Sequence, residues 1–184
     1  MRAAQTQSLL AAIGSLPRRE RDDILGRIGE ADVRQAQAVL PVFWLPMSLH
    51  MRISDHLRDV VGPERNVAVW HDTMLRAFDR PFLRGFVTMT VSIFGLTPGG
   101  LFRRADKMYK HITRELGSVR FEPNGLRSGT LKLQGFPASR YRFVCYVEGL
   151  AGCLSATISV CGARDRVLVT SSDEAGNASY QVSW

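Results

Sequence analysis

The hydrophobic period of this chain first changes at Gly117, and that change constrains the fold more than any other feature. Up to Leu116 apolar residues recur at three- and four-residue steps, and after Gly117 they alternate. S-V-R-F-E, a P-N-G turn and S-G-T-L-K-L-Q-G predict a β-hairpin that pairs Val119 and Phe121 with Leu131 and Leu133. R-V-L-V-T-S and S-Y-Q-V-S-W, separated by S-D-E-A-G-N, predict a second hairpin with strands near 165–171 and 178–184. Between the hairpins, Pro137 and Ser139 supply start signals for a helix at about 139–156, with Phe143, Val147, Leu150 and Leu154 on one face. The β-branched T-I-S-V that follows leaves the end of this helix open to strand.

The first half of the chain is helical by the same test. Leu9, Leu10 and Ile13, then Ile24, Leu25 and Ile28, mark two short helices separated by G-S-L-P, and Pro41 and Pro46 bracket an aromatic-apolar turn. Leu49, Ile53, Leu57 and Val60 predict an amphipathic helix over Met47–Val61 that ends at Gly62-Pro63. Further helices are predicted from Glu64 to Phe78, from Pro81 to Phe94 and from Leu101 to Leu116, the second of them apolar nearly all round and therefore central. The fold class is α+β: an N-terminal helical bundle packed with a four-stranded antiparallel sheet made of two β-hairpins joined by a crossing helix. Residues 1–40 form a helical arm and residues 41–184 a single α+β domain.

At 184 residues and 45% hydrophobic, the chain can bury one sizeable core. The net charge of +7 is almost all arginine and is spread along the chain, without the basic runs interleaved with aromatics that nucleic-acid binding needs. One local basic patch, Arg103, Arg104, Lys107 and Lys110, reads as the exposed side of an amphipathic helix or as an anionic contact. The absence of a long apolar run or a secretory signal gives the expectation of a cytoplasmic protein without a transmembrane segment.

All three cysteines, Cys145, Cys153 and Cys161, fall eight residues apart in one stretch. On a helix that spacing rises roughly 12 Å, which forbids a shared metal ion or a disulfide between neighbours. Cysteine as a small buried hydrophobe is the default. The small residues Cys145, Gly149 and Gly152, at i, i+4 and i+7, form one stripe that admits close approach of a second helix, the sheet or a ligand. The four histidines are scattered at 50, 56, 71 and 111 and offer no local metal pair. Nucleophile-elbow, Walker and dinucleotide motifs are missing, so the sequence makes no case for an enzyme.

The order of elements, with F-V-C-Y-V-E-G-L-A-G-C-L followed by two strands ending Y-Q-V-S-W, resembles the 4-vinyl reductase domain over roughly residues 40–184. G-G-L-F-R-R-A-D-K-M-Y and the closing tryptophan also resemble a myxobacterial family of about this length and unknown function. The same fold group includes the haem-based H-NOX sensors and the small subunits of TRAPP vesicle-tethering complexes. The resemblance implies a domain that holds a small ligand or acyl chain, or mediates assembly. Departures matter: Ser172 and Tyr180 stand near the places where the 4-vinyl reductase domains carry turn cysteines, which argues against their metal-binding variant. His111 lies in roughly the place of the H-NOX iron ligand, but Q-G-F-P-A-S-R-Y-R replaces the tyrosine-serine-arginine signature.

The main expectation is a non-enzymatic ligand-binding or regulatory module, acting as a homodimer and needing no cofactor. Its apolar pocket would be formed by Phe82, Phe86, Met89, Ile93, Met108, Phe143, Val147 and Leu150. A scaffold module with a filled core and a protein partner is the alternative, and a haem-binding gas sensor a further one.

Overall fold

The computed structural model describes residues 1–78, 97–164 and 166–184. Among them are eight helices and four strands. Helices α1 (Ala3–Gly14), α2 (Arg18–Ile28), α3 (Glu30–Ala38), α4 (Met47–Val61) and α5 (Pro63–Phe78) come first. Then follow α6 (Pro98–Phe102), α7 (Ala105–Ile112), β1 (Ser118–Gly125), β2 (Ser128–Gln134), α8 (Phe143–Ser159), β3 (Arg166–Ser172) and β4 (Ala178–Ser183). The predicted helix over 81–94 lies outside the described residues.

The two hairpins form one antiparallel sheet of order β1-β2-β4-β3. Val119 pairs with Leu133 and Phe121 with Leu131, so the four residues that the alternation groups together do face one another across the hairpin. Across the β2/β4 seam Leu131 faces Tyr180 and Leu133 faces Ala178. These residues share a buried layer with Val147, Leu154 and Ile158 of α8, so the crossing helix covers one face of the sheet.

Three boundaries differ from those expected. The first hairpin turns at Leu126-Arg127, because Pro123 continues the edge strand β1 opposite Gly129 and the ladder bulges between Pro123 and Gly125. An edge strand accepts proline without losing a ladder bond. The helix predicted over Leu101–Leu116 is two helices with a turn at Arg103-Arg104. The turn lets Phe102 pack 5.4 Å from the ring of Phe121 and 5.7 Å from Trp184, while Tyr109 donates to the Leu116 carbonyl at 2.8 Å and fixes the extended exit. Finally, α8 starts at Phe143, after Phe136 has stacked on Phe143 and Tyr146 at 5.0 and 4.6 Å. It runs on through T-I-S, with the Thr157 hydroxyl satisfied by the Cys153 carbonyl at 2.9 Å.

The N-terminal helices build a second apolar cluster. Leu9 and Ile13 of α1, Ile24 of α2, Ala36 of α3, and Leu49, Ile53 and Leu57 of α4 meet Val69 and Trp70 of α5 in it. Residues 1–38 thus pack into the same helical layer as α4 and α5. Helices α5 and α8 lie against each other at Gly149 and Gly152: a Cβ on Gly152 would stand 2.3 Å from the Val67 carbonyl oxygen and 2.9 Å from the Trp70 Cβ. Only hydrogen at these positions permits that approach. Ion pairs lock the same contact: Arg58 of α4 donates both Nε and Nη2 to Glu148 of α8 at 2.8 and 2.9 Å, and Asn66 of α5 adds a third bond at 3.0 Å. Arg142, just before α8, pairs with Asp59 at 2.6 Å.

Candidate functional site

Where the helical layer meets the sheet layer, the packing leaves a cavity of about 80 Å³. Each surrounding element contributes for a local reason. Helix α1 presents Gln5 one residue from Thr6, and α4 presents His50 from the apolar stripe that also carries Ile53 and Leu57, three and seven residues on. Helix α5 gives Trp70 and Met74, α7 gives Met108, Tyr109 and Ile112, and α8 gives Tyr146, Leu150 and Cys153. Val119 and Leu131 of the hairpin close the sheet side.

The walls are mostly apolar, and the polar groups among them are sharply divided. Tyr146 donates to the Tyr109 hydroxyl at 2.8 Å, which in turn donates to the Leu116 carbonyl, so this pair is satisfied. Burial raises both phenols well above their ordinary range and keeps them protonated. By contrast, Gln5 Nε2, His50 Nε2 and Trp70 Nε1 of the same wall are all buried and have no hydrogen-bond partner. Native proteins leave few such groups. His50 is completely buried; its Nδ1 shares a 3.0 Å hydrogen bond with the Thr6 hydroxyl, and its ring meets Trp70 edge-on at 5.5 Å. Burial, reinforced by the charge of the Met1 ammonium, pushes its pKa down to about 3, so the imidazole is neutral at physiological pH.

The cysteines show no reactive character. Burial pushes Cys153, in the cavity wall, and Cys145 up to about 12 and Cys161 up to about 11, so none is a thiolate. Burial also raises Asp55 of α4, which neighbours Cys145. Among the described residues no group of three histidine, cysteine or acidic side chains could hold a metal ion, and no helix is long and apolar enough to cross a membrane.

Of the residues singled out from the sequence, Met108 and Leu150 line this cavity. Phe143 lies instead on Phe136, and Val147 lies in the sheet core, where its carbonyl accepts from Tyr180 at 3.2 Å. Phe82, Phe86, Met89 and Ile93 fall outside the described residues. Cys145 is buried toward α4, and Gly149 and Gly152 face α5. Arg103, Lys107 and Lys110 are exposed and Arg104 half-buried, on the outer side of the α6-α7 turn and of α7. Sequence reasoning missed Gln5, His50 and Trp70. A signal existed for one of them, since His50 stands in helical register with Ile53 and Leu57 on a stripe that should hold only apolar residues.

The residues present do not fit a haem held as the resemblance implies. His111 is exposed on α7, whose cavity face is formed by Ala105, Met108, Tyr109 and Ile112. Among the described residues no arginine lines the cavity to meet propionates, and Arg58 and Arg142 are tied to Glu148 and Asp59. A volume of about 80 Å³ is also far below the ~300 Å³ at which cofactor and drug-sized sites begin.

No protein-family model and no curated protein matches the chain. Solved structures do. An Fe(II) unliganded H-NOX protein variant from K. algicida superposes with a TM-score of 0.67 at 12% identity, covering 100% of this chain and 96% of that one. A structure described as modulating haem redox potential through protein-induced porphyrin distortion gives 0.66 at 10% identity, covering 100% of both chains. An oxygen-binding H-NOX domain related to soluble guanylate cyclases, in its oxygen complex, gives 0.65 at 10% identity, covering 99% and 93%. The described helices and the four-stranded antiparallel sheet therefore have the H-NOX fold.

Proposed function

We propose that this protein is a non-catalytic, small-molecule-binding regulatory module that uses the H-NOX fold without the haem of its structural neighbours. The observation that carries this reading is the cavity between the helical layer and the sheet, mostly apolar, with three buried polar groups in its wall that lack hydrogen-bond partners. It lies where five helices and the first hairpin meet, so a ligand there would touch α1, α4, α5, α7 and α8 at once and bias their packing. The structural neighbours weigh in favour of a sensor over a general hydrophobic carrier, and for haem as the ligand; the outward His111 and the small cavity weigh against haem. Dimerisation belongs to the same proposal, supported by the exposed apolar Leu40, Val42 and Phe43 of the α3-α4 loop.

Native mass spectrometry with an absorption spectrum, on protein expressed with haem precursor supplied, tests this reading. The expected result is a colourless dimer whose mass exceeds the sequence mass by a small retained ligand. A stoichiometric haem band would overturn the haem-free reading in favour of a gas sensor. Failure to bind any small molecule would favour the scaffold alternative.

A further inference from the structure

The unpartnered groups of the cavity are concentrated on three helices that the chain brings together from positions 5, 50 and 70. Thr6 holds the His50 ring from one side, leaving Nε2 free, and Trp70 crosses that ring edge-on. The indole N–H can only donate, the glutamine amide can donate, and the imidazole Nε2 donates when the Thr6 hydroxyl gives its proton to Nδ1. The corner therefore presents one obligatory donor and up to three. Among the described residues no lysine, arginine, aspartate or glutamate lines the cavity, and burial pushes the Met1 ammonium at its wall down to about 6, so an ionised ligand group would meet no permanent counter-charge at physiological pH. Met74, Met108 and Leu150 leave an apolar remainder.

We propose that Gln5, His50 and Trp70 form a hydrogen-bonding corner that selects a small, uncharged, mainly apolar molecule bearing a carbonyl-type acceptor oxygen. The proposal rests on the ligand-binding reading above and specifies its ligand class. Leaving three buried polar groups unpaired is costly, and a ligand oxygen that meets them recovers that cost, whereas a hydrocarbon of the same shape does not. The size of the cavity limits the ligand to about one small ring, by comparison with the ~150 Å³ cavity that accepts benzene.

The test compares cyclopentanone with methylenecyclopentane, which replaces the oxygen by a CH₂ of nearly the same shape. Both are titrated into the ¹⁵N-labelled full chain while the indole N–H signals are followed, with Trp70 assigned by W70F. Cyclopentanone should shift the Trp70 indole signal and bind about tenfold or more tightly than the hydrocarbon. Gln5→Leu should reduce that ratio while keeping the affinity for methylenecyclopentane, and it supplies the answer if W70F does not fold. Equal affinities for the two probes would overturn the acceptor corner and leave the ligand-binding reading standing. Binding of neither would mean that buried water alone satisfies the three groups, and would overturn both.

Discussion

The indole of Trp70 lies so close to the backbone of Gly149 that a Cβ at that position would stand 2.9 Å from both its Cε2 and its Nε1. The contact ties the glycine stripe of α8 to the cavity wall. Gly149→Ala would push on the flat face of one side chain, whereas Gly152→Ala would drive a methyl group into the Val67 carbonyl oxygen, which cannot rotate away. Alanine recovers about 1 kcal/mol of helix propensity, against an overpacking cost of about 1–3 kcal/mol or more. Urea unfolding should show Gly152→Ala destabilised by about 2 kcal/mol and Gly149→Ala by less, with a shifted Trp70 fluorescence. Equal stability of Gly152→Ala and the parent would contradict the helix contact.

The Arg58–Glu148 pair bridges α4 and α8 with side chains only 21% and 16% exposed. Glu148→Ala would leave the guanidinium and the Asn66 amide without their acceptor, at a cost of about 2 kcal/mol. The exposed pair of Arg27 and Asp23 on α2 is the control, and Asp23→Asn should leave the unfolding midpoint unchanged. A double-mutant cycle on Arg58 and Glu148 separates the pair's own coupling from the penalty of an orphaned charge.

His50 sets a pH dependence whose sign follows from burial. Its pKa lies at about 3 in the folded protein and near 6.5 in the unfolded chain. Between those values the unfolded state binds the extra proton, so stability falls as pH drops from about 6.5 toward 3, by up to about 1.4 kcal/mol per unit from this group. Above pH 6.5 both states hold a neutral ring and the contribution is flat. Unfolding free energies measured across this range should lose part of their slope in His50→Gln, and an unchanged slope would show that the ring titrates freely.

Gln5 offers a stability test independent of any ligand. Its amide is buried on α1 with Nε2 unpaired, so Gln5→Leu removes an uncompensated desolvation and should stabilise the ligand-free protein by about 1 kcal/mol. A group that lowers stability and yet faces a cavity is the pattern expected of a binding residue. Thermal unfolding of the two proteins, each stripped of retained small molecules, checks this directly.

The sequence by itself determined the layers. Alternation after Gly117 specified both hairpins and the face shared by Val119, Phe121, Leu131 and Leu133, because a period of two puts alternate residues on one side; the register itself followed from the turn, which lies at Leu126-Arg127 and not at P-N-G. The helical period of α4 and α5 and the spacing of Cys145, Gly149 and Gly152 were legible for the same reason: a helix repeats its contacts every three or four residues. Tertiary structure decided where those layers stop touching. The break at Arg103-Arg104 follows from Phe102 turning toward Phe121 and Trp184, a contact that no local preference encodes. Which side of α7 meets the cavity depends on that same break, and it leaves His111 outside and Tyr109 inside. The corner of Gln5, His50 and Trp70 joins residues 45 and 65 positions from Gln5. Burial makes the His50 ring neutral and leaves three polar atoms without a hydrogen-bond partner from the chain, and burial is a property of the assembled fold, not of any segment within it.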